Sequence, residues 1–172
     1  MQSLPYKIST LVYLHNRQGE LLLMRRNKAP NKGLWSPIGG KLEMDTGESP
    51  YDAACREVME EVGLSIKPAD LHLFALIAEK NYEDRCHWLM FLFDCRKQLE
   101  ALPPPIEEGT FGFFEESVVH DLDLPDTDRR ALWKVYFKSR NDFVALKADC
   151  SSEKLLQVEV DEAMELHKSR PQ

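Results

Sequence analysis

The 172-residue sequence has no surplus of positive charge: 29 acidic residues stand against 22 lysines and arginines, a formal net charge of −7. General attraction to nucleic-acid backbones or anionic lipid is therefore excluded, and any phosphate must be met locally. Carboxylates repel phosphate, so an acidic site acting on it needs a cation between the two. The sequence also lacks a long apolar run, and Met1 to Thr10 lacks the basic start and apolar core of a signal peptide. A cytoplasmic chain with no membrane association is expected. Cysteine is scarce: Cys55, Cys86, Cys95 and Cys150 form no Cys-x-x-Cys pair. That excludes a disulfide scaffold and leaves idle or buried thiols. The histidines share no spacing that builds a metal site, and no internal repeat occurs.

A hydrophobic fraction of 43% and a charged fraction of 30% are those of an ordinary globular protein. The length suits one domain over residues 1–172. Ile8 to Leu14 and Glu20 to Arg25 are β-favouring runs around a polar turn ending in Gly19, which predicts a hairpin. Asn27 to Gly33 reads as a surface loop leading to Trp35 and the pair Gly39-Gly40. Leu71 to Ala78, His87 to Phe93 and Thr110 to Phe114 read as strands, and Thr127 to Lys138 as a helix. Phe143 to Val160 alternates like a further hairpin, an extension over residues 142–172 whose last residues, Glu165 to Gln172, should fray. Strands interleaved with two helices predict an α/β domain with a mixed sheet.

One helix carries the chemistry. Ser49 can cap it, Pro50 suits its first position and Gly63 should end it. At 100° per residue Tyr51, Ala54, Cys55, Val58 and Val62 share one arc, while Glu57, Glu60 and Glu61 share another. Three carboxylates at i, i+3 and i+4 repel one another, and a hard divalent cation compensates that repulsion. The alternative on composition alone is a solvated acidic face.

The order of residues around those glutamates resembles the Nudix box, Gly-x5-Glu-x7-Arg-Glu-U-x-Glu-Glu-x-Gly-U with U apolar. Glu48 is followed after seven residues by Arg56-Glu57-Val58-Met59-Glu60-Glu61-Val62-Gly63-Leu64. The box spans Gly40 to Leu64, but seven residues rather than five separate Gly40 from Glu48, a longer loop around Glu43-Met44-Asp45-Thr46. The resemblance implies the Nudix (MutT-like) fold, a mixed β-sheet sandwiched between helices in α/β/α layers. It implies a pyrophosphohydrolase using Mg²⁺, or Mn²⁺, held by Glu57, Glu60, Glu61 and the Gly40 carbonyl. It also implies that Arg56 pairs with Glu48, a task suited to a guanidinium and a carboxylate.

Metal-assisted hydrolysis needs a base. Glu57 and Glu108 are rivals, and Glu61 acts with them. Arg25, Arg26, Lys28 and Lys32 form a basic cluster that either meets phosphate or is solvated; Trp35, Phe111, Phe113 and Phe114 either stack a base or fill the core. Tyr82 lies eighteen residues past Leu64, a spacing that resembles the downstream Tyr of dinucleoside polyphosphate hydrolases. Gly33-Leu34-Trp35 is similar to members that sanitise oxidised nucleoside triphosphates. The partner expected is a small-molecule nucleotide rather than nucleic acid. A homodimer would form through the N-terminal strand or the C-terminal segment. The alternative function is a silent nucleotide-binding or regulatory module; isomerase and mRNA-decapping readings lack their extra domains and basic surface.

Overall fold

The computed structural model describes residues 4–29, 31–151 and 157–165. In chain order its strands are β1 (Tyr6–His15), β2 (Leu21–Arg26), β3 (Trp35–Ser36), β4 (Leu71–Tyr82) and β5 (Cys86–Cys95). They continue as β6 (Gly109–Phe114), β7 (Phe143–Asp149) and β8 (Gln157–Met164). Helix α1 (Pro50–Val62) lies between β3 and β4, and α2 (Trp133–Ser139) follows a π-helical turn, Asp128–Leu132, before β7.

The two N-terminal runs form strands, but they pair only at their base, where Leu14 opposes Leu22 and His15 opposes Leu21. The Asn16 side chain closes their turn, accepting from the N–H groups of Gln18 and Glu20 at 3.0 and 2.9 Å. β1 then leaves β2 and pairs parallel with β5 from Tyr6 to Tyr13, while β2 pairs along its length with β6. The expected hairpin is thus splayed, because each strand finds a longer ladder elsewhere than a two-strand ribbon supplies. The sheet runs β3-β2-β1-β5-β4-β7-β8, with β6 on the other edge of β2. β1–β5 and β4–β7 are parallel and the remaining pairs antiparallel, the mixed sheet expected.

Alternation along the strands sends neighbouring residues to opposite faces. Val12, Leu14, Leu22, Met24 and Phe93 pack with Ala54 and Val58 of α1. Tyr13, Phe74, Ile77 and Leu92 pack with Leu132, Trp133 and Tyr136 around α2. The result is the α/β/α layering expected. Trp133, Tyr13 and Tyr136 are among the largest fully buried side chains, and the stacked Tyr13–Tyr136 rings are 4.4 Å apart.

Three expectations are adjusted. β4 continues past Ala78 to Tyr82, the two-residue β3 was not expected, and the second helix opens with the π-helical turn. The C-terminal hairpin is present as β7 and β8, with β7 extending the main sheet beside β4. Of the stretch expected to fray, all but Glu165 lies outside the described residues. Among the described residues β8 is an open edge bearing Glu159, Asp161 and Glu162 beside exposed Val160 and Met164; Lys147 of β7 reaches Glu159 at 2.9 Å. β1, by contrast, is interior: β5 flanks it on one side, and Ile38 and Lys41 bridge to it on the other. It therefore offers no edge for self-association. Among the described residues no helix is long and apolar enough to cross a membrane, and all four cysteines are free.

Candidate active site

Helix α1 begins and ends where its sequence directs. The Ser49 hydroxyl accepts the Asp52 N–H at 3.2 Å, and Gly63, at φ 68°, donates to the Met59 carbonyl. With both ends set, Ala54 and Val58 are buried against the sheet, and Glu57 and Glu61 turn towards the loop carrying Gly39 and Gly40, while Glu60 stays exposed beside Arg56.

That loop lies against β1. Thr10 donates to the Gly40 carbonyl at 2.9 Å, and Val12 to the Ile38 carbonyl at 2.7 Å. Gly39 has φ 150°, and a Cβ there would sit 2.0 Å from the Thr10 carbonyl oxygen. No other residue fits without moving the strand. At Gly40 a Cβ would lie 2.3 Å from Oε1 of Glu57. Bare backbone at both positions lets the carboxylates approach: Gly39 N–H donates to Glu61 Oε2 at 3.2 Å.

Arg56 ties the parts together. Its guanidinium grips Glu48 through two bonds, Nε to Oε1 at 2.8 Å and Nη2 to Oε2 at 3.0 Å. It also reaches Glu57 at 2.8 Å, Glu60 at 3.2 Å and the Lys41 carbonyl at 3.1 Å. Such a fork suits guanidinium geometry. The longer loop is absorbed in a 3₁₀ turn, Met44–Thr46, closed where Glu43 N–H donates to Glu48 Oε2 at 2.8 Å. The two additional residues therefore leave the Glu48–Arg56 pair in place.

The electrostatics show strain between the acids. Burial pushes the Glu61 carboxyl up to about 7, and the Glu57 charge adds to it; the Gly39 N–H and Arg26 oppose the shift, and Glu108 reinforces it. Burial also raises Glu57, against the Arg56 hydrogen bond that lowers it. The Arg56 hydrogen bond holds Glu48 below the usual carboxylate range. Among the described residues no three acidic, His or Cys side chains are already gathered as a metal cage. Arg56 holds Glu57, and Gly39 holds Glu61. An oxygen-only donor set that is partly desolvated and repels itself nevertheless fits a hard divalent cation. The Gly40 carbonyl, engaged once by Thr10, keeps a second lone pair.

Other nominated residues fall into two groups. Glu108, just before β6, is exposed, acts electrostatically on Glu61, and its carbonyl accepts from Asn27 N–H at 2.7 Å. Lys28 is paired with Glu107 at 2.5 Å, and Arg25 donates to the Gly33 carbonyl at 3.1 Å. Arg26 is the β2 residue whose charge acts on Glu61. Period-two alternation from Leu22 and Met24 would have singled it out over Arg25. Phe111 and Phe113 pack with the α1-side core. Trp35 meets Phe114 edge to face at 4.8 Å on the α2 side. Tyr82 donates to Asn31 Oδ1 at 3.2 Å and lines a cavity of about 530 Å³ with Lys7, Asn31, Arg85 and Trp88. Ala29 lines that cavity too, and Asn27, two residues before it, donates to the Glu108 carbonyl.

The family model described as NUDIX domain matches residues 5–138. The RNA pyrophosphohydrolase of Rhizobium meliloti (strain 1021) is 32% identical over 143 residues, covering 70% of this chain and 84% of that one. The RNA pyrophosphohydrolase of Gluconobacter oxydans (strain 621H) is 41% identical over a shorter 61 residues, 36% of this chain and 34% of that one. Among solved structures, the MutT protein of Bacillus halodurans superposes with a TM-score of 0.72 at 20% identity, covering 90% of this chain and 97% of that chain. With the box glutamates, the Arg56 clamp and the layered mixed sheet in place, the chain belongs to the Nudix hydrolase family.

Proposed function

We propose that the chain hydrolyses a pyrophosphate bond in a nucleoside-diphosphate-linked small molecule in the cytoplasm, with Mg²⁺ or Mn²⁺ as cofactor. The substrate is an ordinary or oxidised nucleoside triphosphate or a dinucleoside polyphosphate. The observation that carries this reading is the pair Glu57 and Glu61, partly buried and mutually repelling against Gly39-Gly40, with Glu60 and Glu108 beside them. A silent binding module needs no such set of carboxylates.

Glu57, Glu60, Glu61 and the Gly40 carbonyl would hold the cation. When bound, it supplies polarisation of the pyrophosphate and neutralises charge on the leaving phosphate. Arg56 fixes the helix against the loop through Glu48 and the Lys41 carbonyl, which keeps the carboxylates in position. Glu57 must break its Arg56 bond to act as a base, whereas Glu108 is exposed and its charge acts on Glu61. Glu108 is therefore assigned the proton from the attacking water.

Incubation with Mg²⁺ and a panel of nucleoside triphosphates, oxidised triphosphates, dinucleoside polyphosphates and nucleotide sugars tests the reading. One class should be cleaved. Cleavage should vanish in Glu61→Gln and slow about a hundredfold in Glu108→Gln. Full turnover in Glu108→Gln would transfer the base to Glu57. Tight nucleotide binding with no turnover across the panel would establish the regulatory module instead. The Rhizobium relative, an RNA pyrophosphohydrolase, favours a second reading, an RNA substrate. The net charge of −7 opposes it, and a 5′-triphosphorylated RNA added to the panel decides.

A further inference from the structure

Left-handed backbone outside glycine gathers around one hydrogen bond. Among the described residues the non-glycine positions with positive φ are Asn31 at 64°, Asn81 at 59°, Glu83 at 51° and Asp84 at 53°. All four belong to the two segments joined by a single contact, the Tyr82 hydroxyl donating to Asn31 Oδ1 at 3.2 Å. Tyr82 ends β4, Asn31 lies in the loop between β2 and β3, and both line the cavity of about 530 Å³. Such backbone persists only where its surroundings hold it, and it marks places where function requires a set geometry. The Tyr82 turn is held in this way: Arg85 N–H donates to the Tyr82 carbonyl at 3.0 Å, and Asn81 N–H donates to His87 Nδ1 at 2.9 Å. Its side chain is therefore aimed, not merely packed.

From Asn31 a series of backbone hydrogen bonds leads to the turn that carries Glu108. Leu34 N–H donates to the Asn31 carbonyl and Arg26 N–H to the Leu34 carbonyl, both at 3.0 Å, while Gly33 N–H returns to the Arg26 carbonyl at 2.7 Å. The 26–34 loop is thus closed at its base. The next residue, Asn27, donates its N–H to the Glu108 carbonyl at 2.7 Å, and Lys28 pairs with Glu107 at 2.5 Å. The turn itself is closed where Ile106 N–H meets the Gly109 carbonyl at 2.9 Å and Gly109 N–H returns at 3.3 Å. Glu107 and Glu108 at its tip are exposed, so hydrogen bonds rather than packing place them.

We propose that Tyr82 and Asn31 are positioning residues for Glu108: their hydrogen bond at the cavity sets the 26–34 loop, and the loop sets the turn that carries the base. Each bond in the series keeps donor and acceptor within about 3.2 Å, so a shift of Asn31 is passed to Leu34, Arg26 and Asn27 in turn. The Tyr82 hydroxyl has one proton to donate, and Asn31 receives it. A ligand acceptor that takes that proton displaces Asn31, so filling the cavity and placing Glu108 become coupled events. The effect on turnover rests on the assignment of Glu108 to the attacking water, whereas the coupling between Tyr82 and the Glu108 turn does not.

Amide hydrogen exchange of the full-length, ligand-free chain, read residue by residue by NMR, tests the coupling without any turnover. Tyr82→Phe keeps the ring and removes only the hydroxyl. In that variant the Asn27 N–H, bonded to the Glu108 carbonyl, should exchange about fivefold faster, the worth of one neutral hydrogen bond. The Thr10 N–H, bonded to the Gly40 carbonyl, should keep its rate, which separates a local response from general destabilisation. Asn31→Ala should act as Tyr82→Phe does, and the two together should add little. An unchanged Asn27 rate in Tyr82→Phe, or one that rises only in step with Thr10, overturns the proposal. In turnover, Tyr82→Phe should lower kcat about fivefold, and that loss should vanish in the Glu108→Gln background. The same kcat loss in both backgrounds would make Tyr82 a ligand contact alone and overturn its positioning role. Failure of the hydrolase reading appears separately, as absence of Glu61-dependent cleavage with the Asn27 response intact.

Discussion

Replacing Gly40 with alanine isolates the contact between the loop and helix α1. The new Cβ would lie 2.3 Å from Oε1 and 2.5 Å from Cδ of Glu57, and the three nearest atoms all belong to that carboxyl. Ordinary contact requires about 3.5 Å, so the Glu57 carboxyl must retreat by about 1 Å. Its 2.8 Å bond to Arg56 then lengthens or breaks. A misplacement of that size costs about a hundredfold in turnover. Losing one charge-assisted hydrogen bond costs about 1–2 kcal/mol, which for a chain of this size lowers the melting temperature by about 3–6 °C. The assay is steady-state hydrolysis of the identified substrate at saturating Mg²⁺, with thermal unfolding alongside. A double variant supplies the decisive comparison: in Glu57→Gln, whose site is already impaired, Gly40→Ala should add little. Turnover within threefold of the parent, or the same hundredfold loss repeated in the Glu57→Gln background, would refute the reasoning.

Arg56→Lys should lose the two-point grip on Glu48 and the bond to the Lys41 carbonyl, destabilising the fold by about 1–3 kcal/mol in thermal unfolding. With the guanidinium gone, the Glu48 carboxyl should titrate at a higher pH by NMR, because the Arg56 hydrogen bond is what holds it low. Stability should also depend on pH through Glu79 and Asp128, whose folded-state values of about 8 and 7 lie above those of an unfolded carboxyl. The folded chain then binds more protons than the unfolded one, so stability is greatest at the acid end of the window. It falls as pH rises from about 4.5, and the loss levels off above about 8. Urea unfolding from pH 5 to 8.5 should show this slope in the parent and a flatter one in Glu79→Gln.

Local rules made α1 legible in advance: its cap, its stop and its two faces depend on residues within one or two turns of each other. That Glu57, Glu60 and Glu61 stand on one helix was legible for the same reason. The departures come from contacts distant in sequence. β1 leaves β2 because β5, some eighty residues on, offers it a longer ladder, and no pattern near Ile8 encodes that choice. No local pattern in the sequence joins Glu79 with Asp128. Only the fold brings the Asp128 charge to bear on Glu79. Arg26 was within reach, because alternation along β2 separates it from Arg25, but the two were read as one basic cluster.

The acidic edge of β8 bears on how copies of this chain meet one another. An unpaired strand is a template for adding another, and exposed Val160 and Met164 would make this one adhesive. Glu159, Asp161 and Glu162 occupy the same short strand, and Lys147 answers only two of them, at 2.9 and 3.7 Å. Two such edges brought together antiparallel would set acid against acid. The strand thus completes the sheet on its β7 side while its own sequence places three acids along the edge it leaves open among the described residues.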